Sequence, residues 1–320
     1  MDEGKSKNHL KVLRSKLKFI PSNNDLIEQW VVAVTGEADS CDIAMMRHVI
    51  WQVKRKLCGL PVEHHALVCI FGASGAGKSV AIQKLLEPIT SVTIHQNMTV
   101  FNDQFSRRMF TSNYCMVFDE MGKAKQVDID CLKNIITANP VEWRGIQSES
   151  IHSGQQNCTF IAASNIPLCE RIKDTTSARR FWQLNCKEKL DWNAINSIDY
   201  LAMWRSVNEN DSCPILDVLD QVRRVQERDL RVRDPIEEWI ASCCRESDSQ
   251  SGLTTSELFQ IFKCWCSKNS VATAITIQKF SRDLPKSIKA IIPDVSPFHS
   301  HRGTEWPILV TEKLSSLQTL

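Results

Sequence analysis

The sequence predicts an α/β protein: a parallel-sheet core, a helical segment before it and a winged-helix-like domain after it. Short apolar runs alternate with helical patterns between residues 66 and 163. That order gives parallel strands covered by helices on both faces. The first apolar run leads directly into a glycine-rich segment and then into a helix, which is the setting of a phosphate-binding loop.

The length of 320 residues allows one full α/β domain and smaller helical pieces. We therefore expect four parts. They are a helical collar over 1–60, a P-loop ATPase core over 61–208, a helical linker over 209–234 and a winged-helix-like domain over 235–320. With 39 Lys and Arg against 37 Asp and Glu, the net charge of +2 favours no class of partner.

The sequence predicts a cytoplasmic protein without a membrane partner. No apolar stretch reaches about 18 residues, and the first 20 residues lack the apolar core of a secretion signal. The 13 cysteines are an odd number without a repeated C-x-x-C pair, which is typical of reduced thiols. Cys264 and Cys266 would point to different sides of a helix, which disfavours a metal site there.

Helical spacing dominates the first 60 residues. Leu10, Leu13 and Leu17 predict a short amphipathic helix with many lysines. Its basic face is either a solvated surface or a contact for nucleic acid or a partner. Two further helices are predicted between Asn24 and Leu60, broken near Gly36.

The core is predicted to contain four strands and four helices. The predicted strands are 66–71, 91–94, 114–118 and 158–163, and the predicted helices are 78–86, 101–110, 129–137 and 201–207. After Trp182 the sequence no longer indicates strands, and a further helix is expected over 215–231.

The segment Gly72 to Ser79 fits the pattern G-x-x-x-x-G-K-S. Its glycines let the backbone curl until several N–H groups converge on phosphate oxygens, and the helix start adds positive potential. Lys78 is expected to reach the β- and γ-phosphates of ATP, and Ser79 to bind Mg²⁺. The predicted nucleotide-binding residues are Gly72, Gly75, Ala76, Gly77, Lys78, Ser79 and Val80.

Two later strands are predicted to deliver polar residues to the same sheet edge. Asp119 and Glu120 follow the run 114–118, where Asp119 would hold Mg²⁺ and Glu120 would polarise the attacking water. Asn165 follows the run 159–164 and would hold that water near the γ-phosphate. The alternatives are exposed acids at a strand end and an ordinary turn asparagine.

Arg179 and Arg180 stand directly before Phe181 and Trp182. One interpretation is that an arginine, preferably Arg180, enters the site of a neighbouring subunit and stabilises charge on the transferring phosphoryl group. The alternative is a surface arginine pair stacked on Trp182.

The order of these motifs, from the phosphate-binding loop through 118–120 and 163–165 to 179–182, resembles superfamily 3 helicase domains of phages, plasmids and mobile islands. The resemblance is closest to the virulence-associated protein E-like and primase-helicase ATPases. It covers about Asp25 to Asn208. It implies an AAA+ type core, ATP hydrolysis between the subunits of a homo-oligomeric, hexameric ring, and single-stranded DNA in the central channel.

The resemblance also implies a DNA-gripping hairpin between the acidic motif and the strand before Asn165. The interval 141–154 contains two short strand-like runs that suit it. Arg144 and His152 are the DNA-contact candidates there, with Lys123 and Lys125 just after the acidic motif. The hairpin lacks the lysine usual in the family, and the alternative is that these residues simply cover the sheet.

The C-terminal region is predicted to form helices over 255–267 and 276–284, then strands over 289–292 and 305–310. This order is similar to a winged helix. Lys279 and Arg282 are the main candidates for DNA contact, and Lys286, Lys289 and Arg302 are further ones. The alternative is a module that mediates protein contacts.

The combined interpretation is an ATP-dependent, Mg²⁺-requiring DNA helicase in replication of a phage or mobile element. Priming would come from a separate primase or initiator. A second class is a replication initiator or loader in which ATP assembles a ring at an origin. A third is a P-loop kinase or signalling switch, which leaves Glu120 and the arginine pair unexplained.

Overall fold

A computed structural model describes the following residues: 3–119, 129–145, 150–172, 179–230, 235–247, 252–268 and 275–310. They fall into two compact units, Met1–Arg231 and Val232–Leu320. Each unit has a hydrophobic core of its own. Among the described residues, no helix combines the length and the apolarity needed to cross a bilayer.

The first unit is built on a five-stranded parallel sheet, so the predicted α/β class is confirmed. Its strands are β1 (Leu67–Phe71), β2 (Thr93–His95), β3 (Cys115–Phe118), β4 (Val141–Arg144), β5 (Ile151–Gly154), β6 (Thr159–Ser164) and β7 (Phe181–Asn185). The sheet order is β2-β3-β6-β1-β7, while β4 and β5 form a separate antiparallel hairpin. β1 lies between β6 and β7, so the loop that follows it lies within the carboxyl edge of the sheet and not at its side. In α/β proteins, ligands bind at this edge.

Ten helices accompany these strands in the described part of the first unit. They are α1 (Glu3–Lys16), α2 (Leu26–Thr35), α3 (Ser40–Leu57), α4 (Lys78–Leu85), α5 (Met109–Ser112), α6 (Ile129–Thr137), α7 (Leu168–Arg171), α8 (Trp192–Ser197), α9 (Tyr200–Arg205) and α10 (Leu219–Leu230). Asp25 and Asp39 are the N-cap residues of α2 and α3, and each side chain accepts hydrogen bonds from two backbone N–H groups. Gly36 ends α2 in the left-handed conformation.

Alternate residues of β1 pack on opposite faces of the sheet, as expected for a strand buried on both sides. Val68 and Ile70 belong to a core shared with α2 and α3, where Trp30 is buried. Cys69 belongs to the core on the other face, with α6 and the aromatic rings around Phe101. The helices before residue 60 therefore contribute to the core of the first unit.

Strand β7 differs from the sequence-based expectation, which placed no strand after Trp182. It pairs in parallel with β1, with Phe181 opposite Leu67. Only three of its five residues are buried, and the polar Gln183 and Asn185 interrupt the apolar run that would indicate a strand in the sequence. Helix α10, expected in a linker, packs beside it: Gln226 Nε2 donates a hydrogen bond to the Phe181 carbonyl (2.9 Å).

The predicted helix over 101–110 is wrong, because two short 3₁₀ turns, Met98–Phe101 and Ser106–Arg108, lead into α5 instead. The break lies at Asp103. Its carboxylate accepts hydrogen bonds from the Phe105 N–H (3.0 Å) and from the Ser106 hydroxyl. Such local side-chain bonds compete with helix hydrogen bonds and favour a turn.

The second unit consists of three helices and two small antiparallel sheets in its described part. Its elements are β8 (Cys244–Glu246), β9 (Leu253–Thr254), β10 (Phe298–Ser300), β11 (Gly303–Trp306), β12 (Ile308–Val310), α11 (Pro235–Cys243), α12 (Thr255–Lys268) and α13 (Ile277–Ile291). One sheet has the order β10-β11-β9, and the other pairs β12 with β8. Trp239, Phe262, Phe280 and Trp306 meet in its core. The winged-helix character of this unit stays a prediction.

The predicted strand over 289–292 is wrong, because most of that segment belongs to the last turn of α13. Pro285 suggested a helix end, since proline removes a helix hydrogen bond. However, Phe280, Leu284 and Ile288 lie at helical spacing and are all fully buried. Burial of this continuous apolar stripe outweighs the cost of the proline, so the helix continues through it.

The contact of α3 with the sheet should make the first unit sensitive to pH. Trp182 Nε1 donates a hydrogen bond to Asp42 Oδ1 (2.9 Å), and burial raises the pKa of Asp42 to about 7. Because this pKa is higher in the folded than in the unfolded chain, Asp42 contributes a fall in the free energy of unfolding as the pH rises from about 4 to about 7. Burial lowers the pKa of His48 to about 4 and that of His65 to about 3, so these two histidines contribute a rise over the same range. We expect Asp42→Asn to remove only the contribution of Asp42, so that the free energy of unfolding of the variant rises more steeply with pH than that of the wild type.

The amide oxygen of the introduced asparagine would still accept the Trp182 hydrogen bond without a buried charge. We expect Asp42→Asn to raise the free energy of unfolding by about 1 to 2 kcal/mol above pH 7. Urea unfolding at about pH 5 and about pH 8 measures this. Asp217→Asn, at an exposed aspartate of the same unit, is the control. An equal pH dependence for wild type and Asp42→Asn would contradict the expectation.

Candidate functional site

The glycine-rich loop lies between β1 and α4 as the sequence predicts. Gly75 and Gly77 have φ of +79° and +99°, a region that other residues rarely adopt. A Cβ atom at Gly77 would also clash with the Trp192 ring, and one at Gly72 would clash with Cys186 Sγ. Glycine is therefore required at Gly77 by both conformation and space.

The loop is fixed to neighbouring strands by backbone hydrogen bonds. Gly72 N–H donates to the Ser164 carbonyl at the end of β6 (3.1 Å). The Cys186 N–H, just after β7, donates to the Phe71 carbonyl (2.8 Å). The loop thus begins from a rigid position, since both of its neighbouring strands hold it.

Lys78 begins α4 and its side chain is buried against the loop. Its Nζ donates hydrogen bonds to the carbonyls of Gly72 (2.8 Å) and Ala73 (2.6 Å). These bonds satisfy the buried ammonium and hold the loop closed around it. The lysine is therefore positioned by the loop itself, at the start of the helix that provides positive potential.

A pocket of about 440 Å³ brings together residues from three separate motifs. It is lined by Ser74, Gly75, Gly77, Lys78, Ser79, Val80, Asp119, Ser164 and Asn165. Asp119 follows β3 and Asn165 follows β6, the two strands next to each other on the same side of β1. Parallel strands end at one edge, so their following residues converge there. Ala76 lies buried within the same loop.

Asp119 has a partner that the sequence did not reveal. His95, the last residue of β2, has its Nδ1 3.0 Å from Asp119 Oδ2, and both side chains are about half exposed. The pairing of β2 with β3 places His95 opposite Val117, two residues before the aspartate. The only signal in the sequence was the position of His95 just after a predicted strand.

Asn165 is held at the pocket by a turn that Ser164 shapes. The Ser164 hydroxyl donates to the Ile166 carbonyl (2.6 Å) and accepts from the Ile166 N–H (3.0 Å). Ser164 is buried, and these bonds satisfy its hydroxyl, whereas the Asn165 side chain is exposed. Asn165, directly after β6, therefore lines the pocket at the sheet edge.

Arg179 and Arg180 lie at the opposite edge of the sheet. They directly precede β7, which runs parallel to β1, so they are at the amino ends of the strands. The five residues of β7 rise roughly 16 Å, which separates the arginines from the loop at the carboxyl end. Both arginines therefore lie at the opposite end of the strands from the 440 Å³ pocket of their own chain. Arg179 is exposed and Arg180 is half-buried.

The pocket fits a nucleoside triphosphate with one Mg²⁺. The N–H groups of Gly75 and Gly77 donate to no backbone carbonyl of the described residues, so they are available to phosphate oxygens. Ser79 and Asp119 supply one hydroxyl and one carboxylate, and no cluster of three His, Cys, Asp or Glu side chains occurs among the described residues. A site with so few protein ligands suits Mg²⁺, because this ion keeps several waters and substrate phosphate oxygens in its coordination shell.

The DNA-contact candidates fall in different places. Arg144 and His152 lie on the β4–β5 hairpin, and both are exposed. Lys279 and Arg282 are exposed on α13 in the second unit, where Arg282 Nε lies 3.0 Å from Asp283 Oδ1. Glu120, Lys123 and Lys125 are outside the described residues.

Comparisons with known proteins give one family match and several similar folds. The model for the virulence-associated protein E-like domain matches residues 16–208. The apo structure of the NrS-1 C-terminal region (305–718) is similar over 92% of this chain and 77% of that one, at 12% identity and a TM-score of 0.48. JCV helicase with a bound thiazolopyridine compound is similar over 83% and 67%, at 13% identity and a TM-score of 0.33. No curated protein matches.

The family match covers more than half of the 320 residues. It runs from the end of α1 to just beyond α9 and includes every residue that lines the 440 Å³ pocket. It also includes the β4–β5 hairpin and both arginines before β7.

Proposed function

Because this chain belongs to the virulence-associated protein E-like domain family, we propose that it is an ATP-dependent DNA helicase of a phage or mobile element. The match also confirms the predicted resemblance to that helicase group. The observation that carries the proposal is the convergence of Lys78, Asp119 and Asn165 on one pocket. A phosphate-binding loop facing a carboxylate and an amide is the arrangement that nucleotide hydrolysis requires.

The polar residues of the three motifs have proposed roles in hydrolysis. Lys78 binds the β- and γ-phosphates, and Ser79 and Asp119 hold Mg²⁺. The metal supplies neutralisation of the charge that develops on the phosphate oxygens. Asn165 orients the attacking water, and Glu120 is proposed to accept its proton.

The position of the arginines supports a ring of subunits, which we propose to be a hexamer. Arg180 lies at the sheet edge opposite its own loop, so any nucleotide site that it completes belongs to another copy. A head-to-tail contact repeats around a closed ring, and each interface then contains one nucleotide. Such an arginine stabilises the charge of the transferring phosphoryl group.

The decisive experiment is strand displacement on forked DNA. The chain should separate the strands only with ATP and Mg²⁺, and its hydrolysis rate should rise when single-stranded DNA is added. Forks with one tail of each polarity give the direction of movement. ATP hydrolysis without any strand displacement would reject the helicase, and absence of hydrolysis would reject the whole proposal.

The second unit favours one alternative, a replication initiator or loader that binds origin DNA. Its α13 exposes Lys279, Lys286 and Lys289, a basic surface suited to phosphates. An initiator would bind one duplex sequence far more tightly than others, and its ATP turnover would respond to that duplex. Equal binding to unrelated duplexes would argue for the helicase.

His95 gives a further prediction about the metal. We expect His95→Ala to weaken Mn²⁺ binding, in the presence of a nonhydrolysable ATP analogue, by about tenfold, since outer partners orient ligating carboxylates. Electron paramagnetic resonance of Mn²⁺ measures this without turnover. His95→Asn retains an N–H donor near Nδ1 and should restore most of the affinity. Equal Mn²⁺ affinity for His95→Ala and wild type would show that the contact with Asp119 is only a surface pair.

A further inference from the structure

Helix α10 packs against the open side of the strand β7. The described sheet ends at β7, which pairs there with β1 alone, so one row of its backbone groups has no strand partner. Gln226 of α10 binds one of these groups, because its Nε2 donates a hydrogen bond to the Phe181 carbonyl (2.9 Å). This carbonyl belongs to the residue directly after Arg180. The helix therefore holds the chain beside the arginine that is proposed to act on a neighbouring copy.

Gln226 occupies a buried position of α10 that would suit an apolar residue. It is only 4% exposed, and Val222, one turn before it on the same face, is 1% exposed. Burial of an amide costs free energy unless the amide is hydrogen-bonded, whereas an apolar side chain gains from burial at the same place. The contribution that distinguishes the glutamine from an apolar residue is therefore its hydrogen bond to β7.

The first two residues of β7 are anchored on both faces of the sheet. Phe181 and Trp182 are buried in different cores of the first unit, and Trp182 Nε1 donates to Asp42 Oδ1 (2.9 Å). These contacts hold the two side chains, and the Gln226 bond holds the peptide group between them. Because β1 holds the strand after this peptide, a rotation of the peptide would swing the chain before it, which carries Arg180.

An arginine that stabilises a transferring phosphoryl group has to be placed accurately. A displacement of about 1 Å, caused by a change far from the reacting atoms, can lower a rate by about 10²-fold. Helix α10 contributes no residue to the 440 Å³ nucleotide pocket of its own chain. A change at Gln226 therefore has a route to the reaction through the arginine, without contact with the nucleotide of the same chain.

We propose that Gln226 is a positioning residue for the arginine that acts between copies. Through the Phe181 carbonyl it sets the place from which Arg180 reaches the nucleotide of a neighbouring copy. The inference rests on the proposed function, in which hydrolysis takes place between subunits. It also gives α10, which the sequence places in a linker, a part in the reaction.

The variant Gln226→Met tests this role, because it keeps an unbranched side chain of similar length but removes the N–H donor. The kcat for ATP should fall about 10- to 100-fold, while nucleotide affinity measured by calorimetry stays unchanged. In an Arg180→Ala background the same change should cost less than about twofold, since there is no arginine left to position.

The matched control is Tyr200→Phe, which also removes one buried hydrogen bond from a side chain to a backbone carbonyl. The Tyr200 hydroxyl donates to the Ile195 carbonyl (2.8 Å), and Tyr200 lies on α9 of the same unit and does not line the nucleotide pocket. Both variants should lower the melting temperature by similar amounts. Only Gln226→Met should lower kcat, which separates the positioning role from a loss of stability.

Mixed rings show which copy Gln226 serves. Mixed with Lys78→Ala subunits, Gln226→Met subunits should exceed the turnover of either variant alone, since about a quarter of the interfaces combine an intact loop with a correctly held arginine. Mixed with Arg180→Ala subunits, they should only match the mean of the two separate preparations, because every arginine is absent or displaced. Gln226→Asn, whose amide is one methylene shorter, should give the same pattern and replaces Gln226→Met if that variant does not fold.

The opposite pattern in the mixtures would overturn the assignment. No gain with Lys78→Ala and a gain with Arg180→Ala would mean that Gln226 acts on the pocket of its own chain. An unchanged kcat for Gln226→Met, or an equal loss in the wild-type and Arg180→Ala backgrounds, would also overturn it. The reference is the mixture of Lys78→Ala with Arg180→Ala. If this reference regains no turnover, the shared site itself is wrong and the role of Gln226 falls with it.

Discussion

Replacement of Lys78 by alanine should lower ATP turnover by about 10²- to 10³-fold or more. Lys78 is the only cationic residue among the described residues that line the nucleotide pocket. Its ammonium is buried and already aimed into the loop through the Gly72 and Ala73 carbonyls. Without it, the charge on the β- and γ-phosphates loses its nearest fixed counter-charge in a partly water-excluded site.

Steady-state phosphate release measures this loss, and nucleotide affinity by calorimetry shows whether binding or chemistry is affected. Lys84→Ala is the matched control, because Lys84 lies on the same helix but does not line the nucleotide pocket. It should keep nearly wild-type turnover. Turnover by Lys78→Ala within a factor of about two of wild type would remove the pocket from the mechanism.

The sequence predicted the phosphate-binding loop and the strands β1, β3 and β6 because their signals are local. Each strand is a short apolar run that ends directly before a polar residue or the glycine-rich loop. The convergence of Asp119 and Asn165 followed from one rule, that parallel strands share a carboxyl edge. No residue outside the motifs was needed for that prediction.

What the sequence did not reveal depends on pairing between distant segments. His95 meets Asp119 only because β2 pairs with β3 in one particular register. Strand β7 carries polar Gln183 and Asn185, and it is a strand because β1 offers it hydrogen bonds. Tertiary context decides such short elements more than their own residues do.

A second pocket, at the β4–β5 hairpin, shows both cases; it is lined by Phe105, Arg108, Trp143, Arg144, Gly145 and His152. Arg144 and His152 could be chosen from sequence because they stand in a hairpin-like interval. The sequence pattern predicts a helix over 101–110 that contains Phe105 and Arg108, and a helix there gives no reason to expect either residue at the hairpin. The hydrogen bonds of Asp103 replace the start of that helix by a turn, and the packing of this turn on the hairpin forms the pocket.

Arg180→Ala should lower ATP turnover by about 10³-fold while nucleotide affinity stays unchanged. The reason is the geometry of the sheet: the arginine precedes β7, whereas the loop follows the adjacent parallel strand β1 at the other end. It therefore lies away from its own pocket, and the proposed role is at the pocket of a neighbouring copy. Arg179→Ala, tested in parallel, decides which of the two side chains carries the effect.

Mixing inactive subunits tests the shared site directly. In rings made from Lys78→Ala and Arg180→Ala subunits, about a quarter of the interfaces combine an intact loop with an intact arginine. Hydrolysis should therefore reappear on mixing, although each variant alone is inactive. Mixing either variant with itself, or Lys78→Ala with a double variant, provides the control. Because complementation requires that two chains form one site, a mixture as inactive as its components would place Arg180 outside the neighbouring pocket.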